Sequence, residues 1–219
     1  MKKNIHLYWE NEIKPQLDPL HNASGNLLYY VFQTPYRFQP ELLIVGINPG
    51  GDYEGVPFLE RETNWYTEGK RNAEQKYSFN ETLCAVFGYG KNDKLFSLLE
   101  NAVGMNMIFF NTGSVEKLNK NSLSKEMESK CVKIARNLVD NFIQPKRILC
   151  IGVPPFYGMK NTREITYPIK DVAIKKSYRG NTPVYYIPNP SRLNINKYYK
   201  GDKIAQIQEY FNQEFLNVN

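Results

Sequence analysis

Short apolar runs recur along the chain, and each of them ends in residues that favour turns. Such runs, bounded by glycine, proline or asparagine, are typical of buried strands. The predicted strands lie at 41–46, 107–110, 147–151 and 184–187. Segments with apolar residues at helical spacing separate these runs, which favours βαβ units. The pattern therefore predicts an α/β fold, a single three-layer α/β/α domain with a mainly parallel four-stranded sheet.

The remaining segments complete this prediction. Residues 1–40 are predicted to be an N-terminal helical packing segment, with helices at 5–18 and 23–32, and residues 47–72 are predicted to be a long loop. The stretch 165–181 fits no single pattern. Since no repeat or linker divides the chain, we expect one domain over residues 1–219. Further helices are predicted at 80–87, 93–103, 122–142 and 198–216.

Three of the predicted strands end in an asparagine followed by turn-forming residues. In a parallel sheet these ends share one edge, and ligands of open α/β sheets bind at that edge. An asparagine side chain carries an acceptor oxygen and a donor amide, which suits the edge of a nucleobase or the holding of a water molecule. An ordinary turn is the competing interpretation. The three motifs are Asn48-Pro49-Gly50, Asn111-Thr112-Gly113 and Asn189-Pro190-Ser191.

The charge distribution indicates a polyanionic partner. Residues 1–140 carry 16 Lys and Arg against 17 Asp and Glu, whereas residues 141–219 carry 12 against 5. The net charge of +6 therefore arises entirely in the last third of the chain, as in proteins that bind nucleic acid. A proteome rich in lysine, asparagine and tyrosine would produce a similar excess, and this alternative stays open.

Other groups are poor candidates for chemistry. The three cysteines are far apart and form no Cys-x-x-Cys pair, so we expect buried thiols and no metal or cofactor. His6 and His21 are the only histidines. Asp52, Glu54 and Glu60 are interpreted as solvated charges of the predicted loop. No signal peptide or membrane-spanning run is visible, so we expect a cytoplasmic monomer with no membrane partner.

Two of the motifs resemble those of a known family. Gly46-Ile47-Asn48-Pro49-Gly50 resembles the first motif of the uracil-DNA glycosylase superfamily, in the form used by its mismatch-specific and single-strand-selective branches. Gly55-Val56-Pro57-Phe58 is similar to the Gly-x-Pro-Phe segment of those branches. Asn189-Pro190-Ser191-Arg192-Leu193 is similar to their second motif, nearest to the mismatch-specific form. The resemblance covers about residues 41–195, with the motifs in family order.

The resemblance implies a monofunctional DNA glycosylase that hydrolyses the N-glycosidic bond of uracil or a related damaged base flipped out of DNA. It implies that Asn48 positions the attacking water and that Asn189 faces the departing base. Phe58 would stack on that base and Asn111 would read its edge. The implied pocket backbone comes from Gly46, Ile47, Pro49 and Gly50, and the implied DNA contacts are Pro190, Ser191 and Arg192 at phosphate and Leu193 as a wedge.

Departures from the family pattern shape the expected activity. Strict uracil-specific members carry Asp where Asn48 stands and Tyr where Gly50 stands, and many members carry His where Asn189 stands. The resemblance therefore implies a slower enzyme that tolerates altered bases. Two other functions stay open: a non-catalytic nucleic-acid or nucleotide-binding protein on the same fold, and an unrelated small-molecule enzyme with a pocket at the strand ends.

Overall fold

The computed structural model describes residues 4–50, 55–71, 78–112, 121–169, 172–190 and 192–216. Within these ranges eight strands form one mixed sheet, so the α/β prediction is confirmed. The strands are β1 (Tyr30–Phe32), β2 (Leu43–Gly46), β3 (Phe58–Glu60), β4 (Val103–Asn106), β5 (Ile148–Ile151), β6 (Thr166–Ile169), β7 (Ile174–Arg179) and β8 (Thr182–Ile187). Their order across the sheet is β3-β1-β4-β2-β5-β8-β7-β6.

Helices precede, separate and follow these strands. None of those in the described ranges is long and apolar enough to cross a bilayer. The α-helices are Ile5–Tyr8, Lys14–Ala23, Trp65–Arg71, Ser78–Val86, Asp93–Glu100, Ser124–Leu138, Val153–Met159, Arg192–Tyr198 and Lys203–Phe211, and the π-helical segments are Trp9–Ile13, Val139–Ile143 and Asn212–Leu216.

The sheet separates two hydrophobic cores. Alternate residues of β2 point to opposite faces, as strand geometry requires. Leu43 and Val45 pack with the N-terminal helices and with helix Ser124–Leu138. Ile44 packs on the other face with helix Lys203–Phe211. Because both faces of the central strands are covered, these strands read as continuous apolar runs in the sequence.

The prediction of a mainly parallel four-stranded sheet was wrong. The central strands β4-β2-β5-β8 are parallel, and so is the outer pair β3-β1. Antiparallel pairs join β1 to β4 on one side and β7 to β8 on the other. The additional strands escape the hydrophobic pattern because β1 and β3 have three residues each and β6 is largely exposed.

The second central strand lies earlier in the chain than predicted. The apolar run 107–110 suggested it, but the strand is β4, and the preceding helix ends at Glu100 rather than residue 103. Gly104 weakens the apolar signal of β4. The structure requires a glycine there, because a Cβ would lie under 3.0 Å from ring atoms of the buried Tyr66.

The N-terminal segment is helical only in its first part. The helix predicted at 5–18 is confirmed by the helical segments Ile5–Tyr8, Trp9–Ile13 and Lys14–Ala23, whereas the helix predicted at 23–32 was wrong. The preceding helix ends at Ala23, and Gly25 and Asn26 follow with φ of 78° and 61°. Left-handed backbone of this kind terminates a helix. The aromatic and β-branched residues that follow then form β1, which pairs with β3 inside the segment 47–72 that was predicted to be a loop.

Candidate functional site

The carboxyl ends of the central parallel strands place two of the predicted motifs side by side. Val45 of β2 aligns with Cys150 of β5, and Cys150 aligns with Tyr186 of β8. Asn48 and Asn189 each lie three residues beyond these aligned positions. Because only β5 separates their strands, about 10 Å of sheet lies between the two motifs. Both asparagines therefore lie at the carboxyl edge of the sheet, at the same distance beyond the aligned strand residues.

Asn48 is held in one orientation by its amide nitrogen. Nδ2 donates to Thr112 Oγ1 at 2.9 Å, to the Thr112 carbonyl at 3.3 Å and to the Pro49 carbonyl at 3.0 Å. Carbonyl oxygens only accept, so the amide nitrogen must face them and Oδ1 must point away. No described residue donates to this oxygen. The side chain thus presents a fixed hydrogen-bond acceptor.

Asn111 reaches this loop although it does not end a strand. Beyond β4 the chain continues beside the first motif, where Met107 N–H donates to the Gly46 carbonyl at 2.9 Å and Ile108 N–H to the Ile47 carbonyl at 2.8 Å. Thr112 N–H then donates to the Pro49 carbonyl at 3.3 Å. Asn111 is buried directly before Thr112. The predicted proximity of Asn111 to Asn48 is therefore present, through Thr112.

Phe58 lies further from Asn48 than Asn111 does. It begins β3, and its ring stacks on that of Tyr30 with centroids 4.7 Å apart and planes 8° from parallel. β3 is three strands away from β2, a separation of roughly 14 Å. Phe58 is half-buried, with one face of its ring covered by Tyr30. Its role in stacking on a base stays a prediction.

The segment before Phe58 borders Asn111 instead. A Cβ on Gly55 would lie 3.8 Å from Leu28 Cδ1, and the Leu28 carbonyl accepts from Asn111 N–H at 2.8 Å. Leu28 therefore lies between Gly55 and Asn111. The structure links the Gly-x-Pro-Phe segment to the strand-end loops through this residue.

The second motif is anchored by its backbone. The Asn189 carbonyl accepts from Asn194 Nδ2 at 2.9 Å, which folds the motif onto the following helix. The hydroxyl of Tyr199 donates to the Pro188 carbonyl. Burial raises the pKa of Tyr199 well above its ordinary value, so the hydroxyl stays protonated and remains a donor.

The Asn189 side chain makes no hydrogen bond with a described residue. It lies beside Gly152, which follows β5 with φ of 97°, and a Cβ there would be 3.9 Å from the Cβ of Asn189. Glycine at this point permits the left-handed backbone. Both the donor and the acceptor of the Asn189 amide are therefore available to a ligand.

Several predicted residues are only partly located. Pro49 and Pro190 are buried, and Gly50 is exposed. The backbone of Arg192 and Leu193 begins helix Arg192–Tyr198, but their side chains lie outside what the structure describes, as do Ser191 and the segment that contains Asp52 and Glu54. The phosphate contacts and the wedge therefore stay predictions.

Glu60 is not a solvated loop charge. It ends β3, its Oε2 accepts from the backbone N–H of Tyr36, and its Oε1 lies 3.9 Å from His6 Nε2. The carboxylate thus joins β3 to the turn before β2. Among the described residues, the contacts of Glu60 are with structural elements and not with the motifs.

Sequence reasoning missed Asn106. It ends β4 opposite Gly46, is 1% exposed, and its Nδ2 has no hydrogen-bond partner among the described residues. Buried polar atoms are nearly always paired, so an unpaired donor beside the first motif marks a candidate ligand contact. The signal in the sequence was an asparagine after Val103-Gly104-Met105, which the stronger apolar run at 107–110 concealed.

The described residues contain no group of three His, Cys, Asp or Glu side chains arranged to hold a metal ion. What the site offers is amide side chains, backbone groups and a hydroxyl at the carboxyl edge of a parallel sheet centre. No protein-family model matches the chain, and no curated protein matches it either.

Proposed function

We propose that the protein is a monofunctional DNA glycosylase that hydrolyses the N-glycosidic bond of uracil or a related damaged base flipped out of DNA. The fixed orientation of Asn48 carries this proposal. Three acceptors hold its amide nitrogen, so Oδ1 is a pre-set acceptor for one proton of a water molecule. A pre-organised polar group costs no reorganisation when the reaction occurs.

The reaction does not require a strong general base. Water attacks the anomeric carbon as the glycosidic bond breaks, and the bonding electron pair leaves with the base. Positive charge develops on the sugar and negative charge on the base, so the barrier falls mainly through dipoles placed near those charges. Asn48 orients the water, and the Asn189 amide, which no described residue engages, faces the departing base as a donor.

The base pocket is assigned to the loops beside Asn48. The backbone of residues 46–50 forms one wall, and the buried side chain of Asn111 reads the base edge. Asn106 adds a second donor, because its Nδ2 is buried without a partner next to Gly46. Phe58 stacks on the base with the ring face that Tyr30 leaves uncovered. A glycosidic bond inside a duplex is unreachable, so the base must be extruded.

The second motif is assigned to DNA. Its backbone from Asn189 to Ser191 and the Arg192 side chain hold phosphate, and Leu193 enters the stack to fill the space of the flipped base. The excess positive charge of residues 141–219 supports this assignment, since basic residues neutralise phosphates and make binding salt-dependent.

The test compares wild type with Asn48→Ala on DNA that contains one uracil, either single-stranded or opposite guanine. After incubation, alkali cleaves the strand wherever a base has been removed. We expect wild type to produce such sites and Asn48→Ala to lose turnover by about 10² or more, because it removes the water-positioning group. Binding to the same DNA should be unchanged in a fluorescence anisotropy titration.

Asn101→Ala is the matched control, since Asn101 precedes β4 at the opposite edge of the sheet and is exposed. It should cleave like wild type. Absence of cleavage by wild type on uracil and on other damaged bases would contradict the proposal. Salt-dependent DNA binding without cleavage would instead favour a non-catalytic nucleic-acid-binding protein, which the lack of a histidine or carboxylate in the motifs also favours.

A further inference from the structure

Two exposed tyrosines and two lysines form a surface next to the second motif. Tyr157 is 48% exposed on helix Val153–Met159, and Tyr167 is 50% exposed on β6. Lys175 Nζ of β7 lies 5.7 Å from the ring centroid of Tyr157 and 5.8 Å from that of Tyr167. Lys160 Nζ lies 5.5 Å from the Tyr157 centroid. We call these four residues the Tyr157 surface.

The Tyr157 surface adjoins the candidate site. Lys175 is the cross-strand partner of Tyr186, which precedes Asn189 by three residues. Tyr157 lies five residues along the chain from Gly152, which packs beside Asn189. That interval on a helix corresponds to about 8 Å. A single strand of DNA bound at the second motif would therefore reach Tyr157 and Tyr167 within a few nucleotides.

The opposite face of the same strands shows why this surface is unusual. There Lys176 is the cross-strand partner of Tyr185 and lies 6.0 Å from the ring of Tyr178, which is 38% exposed. Lys176 is neutralised by Glu214, with Nζ and Oε2 2.6 Å apart. By contrast, no described carboxylate forms an ion pair with Lys160 or Lys175. The Tyr157 surface therefore keeps its positive charge, and what lies over its exposed rings is the lysine ammonium groups of the same surface.

We infer that the Tyr157 surface binds single-stranded DNA beside the base that the site excises. Proteins that bind single strands combine basic side chains along the phosphates with aromatic rings on which bases stack. A duplex keeps its bases paired and stacked inside, so exposed rings have no matching surface on it. The inference rests on the proposed function and specifies that the strand is unpaired on this side of the flipped base.

The test measures anisotropy of a fluorescein-labelled oligothymidine without uracil, and of a strand with the same phosphates but abasic sugars. The double variant Tyr157→Ala/Tyr167→Ala should bind oligothymidine more weakly than wild type, by about tenfold or more for each ring removed. It should bind the abasic strand with the same affinity as wild type, because that strand has no bases to stack. Lys175→Gln should weaken both and reduce the slope of log affinity against log salt by about 0.7.

Matched variants separate stacking from damage to the fold. Tyr178→Ala removes a similar tyrosine from the opposite face and should bind oligothymidine as wild type does. Tyr157→Phe/Tyr167→Phe keeps both rings and should also retain wild-type affinity. Equal losses in Tyr178→Ala and the double alanine variant, no binding by wild type, or no loss in the double variant would each overturn the inference.

The affinity for oligothymidine is measured independently of base excision. If wild type cleaves uracil DNA while the double alanine variant keeps full affinity for oligothymidine, the docking surface is wrong and the glycosylase stands. If wild type cleaves no substrate while the double variant loses affinity, the docking surface stands and the glycosylase is wrong.

Discussion

Gly46 touches Asn106 across the β2–β4 ladder, and replacing it by alanine tests how the first motif is packed. A Cβ at Gly46 would lie under 3.0 Å from Asn106 Oδ1 and 3.6 Å from its Cγ. Asn106 is 1% exposed, so its side chain has little space into which to move. Overpacking of this kind costs about 1–3 kcal/mol, because rotamers or backbone must shift.

The expected effect on thermal unfolding follows from the size of the protein. For 150–250 residues, 1 kcal/mol lowers Tm by about 2–4 °C, so a loss of about 2 kcal/mol lowers Tm by about 4–8 °C. Calorimetry on Gly46→Ala measures this shift. Gly50→Ala is the matched control, because a Cβ at Gly50 would meet nothing within 4 Å. Its Tm should stay close to that of wild type.

A double-mutant cycle identifies the contact responsible. Asn106→Ala removes the side chain that the new Cβ would meet, and it also removes a buried donor without a partner, so by itself it should cost little. In that background Gly46→Ala should cost less than about 0.5 kcal/mol. If Gly46→Ala costs the same with and without Asn106, the clash is not the cause and the packing described here is wrong.

Two further predictions concern the anchoring of Asn48 and the buried thiols. Thr112→Val removes one of the acceptors that hold the Asn48 amide, so kcat for uracil release should fall about five- to tenfold and Tm should fall by about 2–4 °C for a hydrogen bond worth about 1 kcal/mol, whereas an unchanged kcat would contradict the anchoring. Burial raises the pKa of the Cys131 thiol from 9.0 to about 12, so the unfolded chain releases a proton that the folded protein keeps. The free energy of unfolding from urea titrations should therefore fall between pH 9 and 12, and Cys131→Ala should show a shallower fall.

The central strands could be predicted from the sequence because both of their faces are buried. Runs such as Leu42 to Val45 and Ile148 to Ile151 are apolar at every position, and a run of that kind has few alternatives to a covered strand. The same reasoning misplaced β4, where Gly104 accommodates the ring of Tyr66. A contact between distant residues leaves no periodic trace in the sequence.

The edge strands form by pairing with other strands, and those partners cannot all be identified from the local sequence. β7 and β8 are joined by a two-residue turn in which Gly180 has φ of 56°, a local signal that supports a hairpin. β1 and β3 have no such signal, because they pair with each other, and β1 also pairs with β4, across long stretches of chain. Three-residue strands gain their stability from that pairing and not from their own propensity.

For the asparagine motifs, too, some features follow from the local sequence and others only from the tertiary structure. By itself the sequence determined that Asn48 and Asn189 follow buried strands and are flanked by proline. Both features are local, because a continuous apolar run and the dihedral limits imposed by proline depend only on neighbouring residues. Only the tertiary structure decided that Thr112 fixes the Asn48 amide, that Asn106 lies against Gly46, and that Phe58 stacks on Tyr30. These contacts follow from strand order and register, which long-range packing sets and local sequence does not encode.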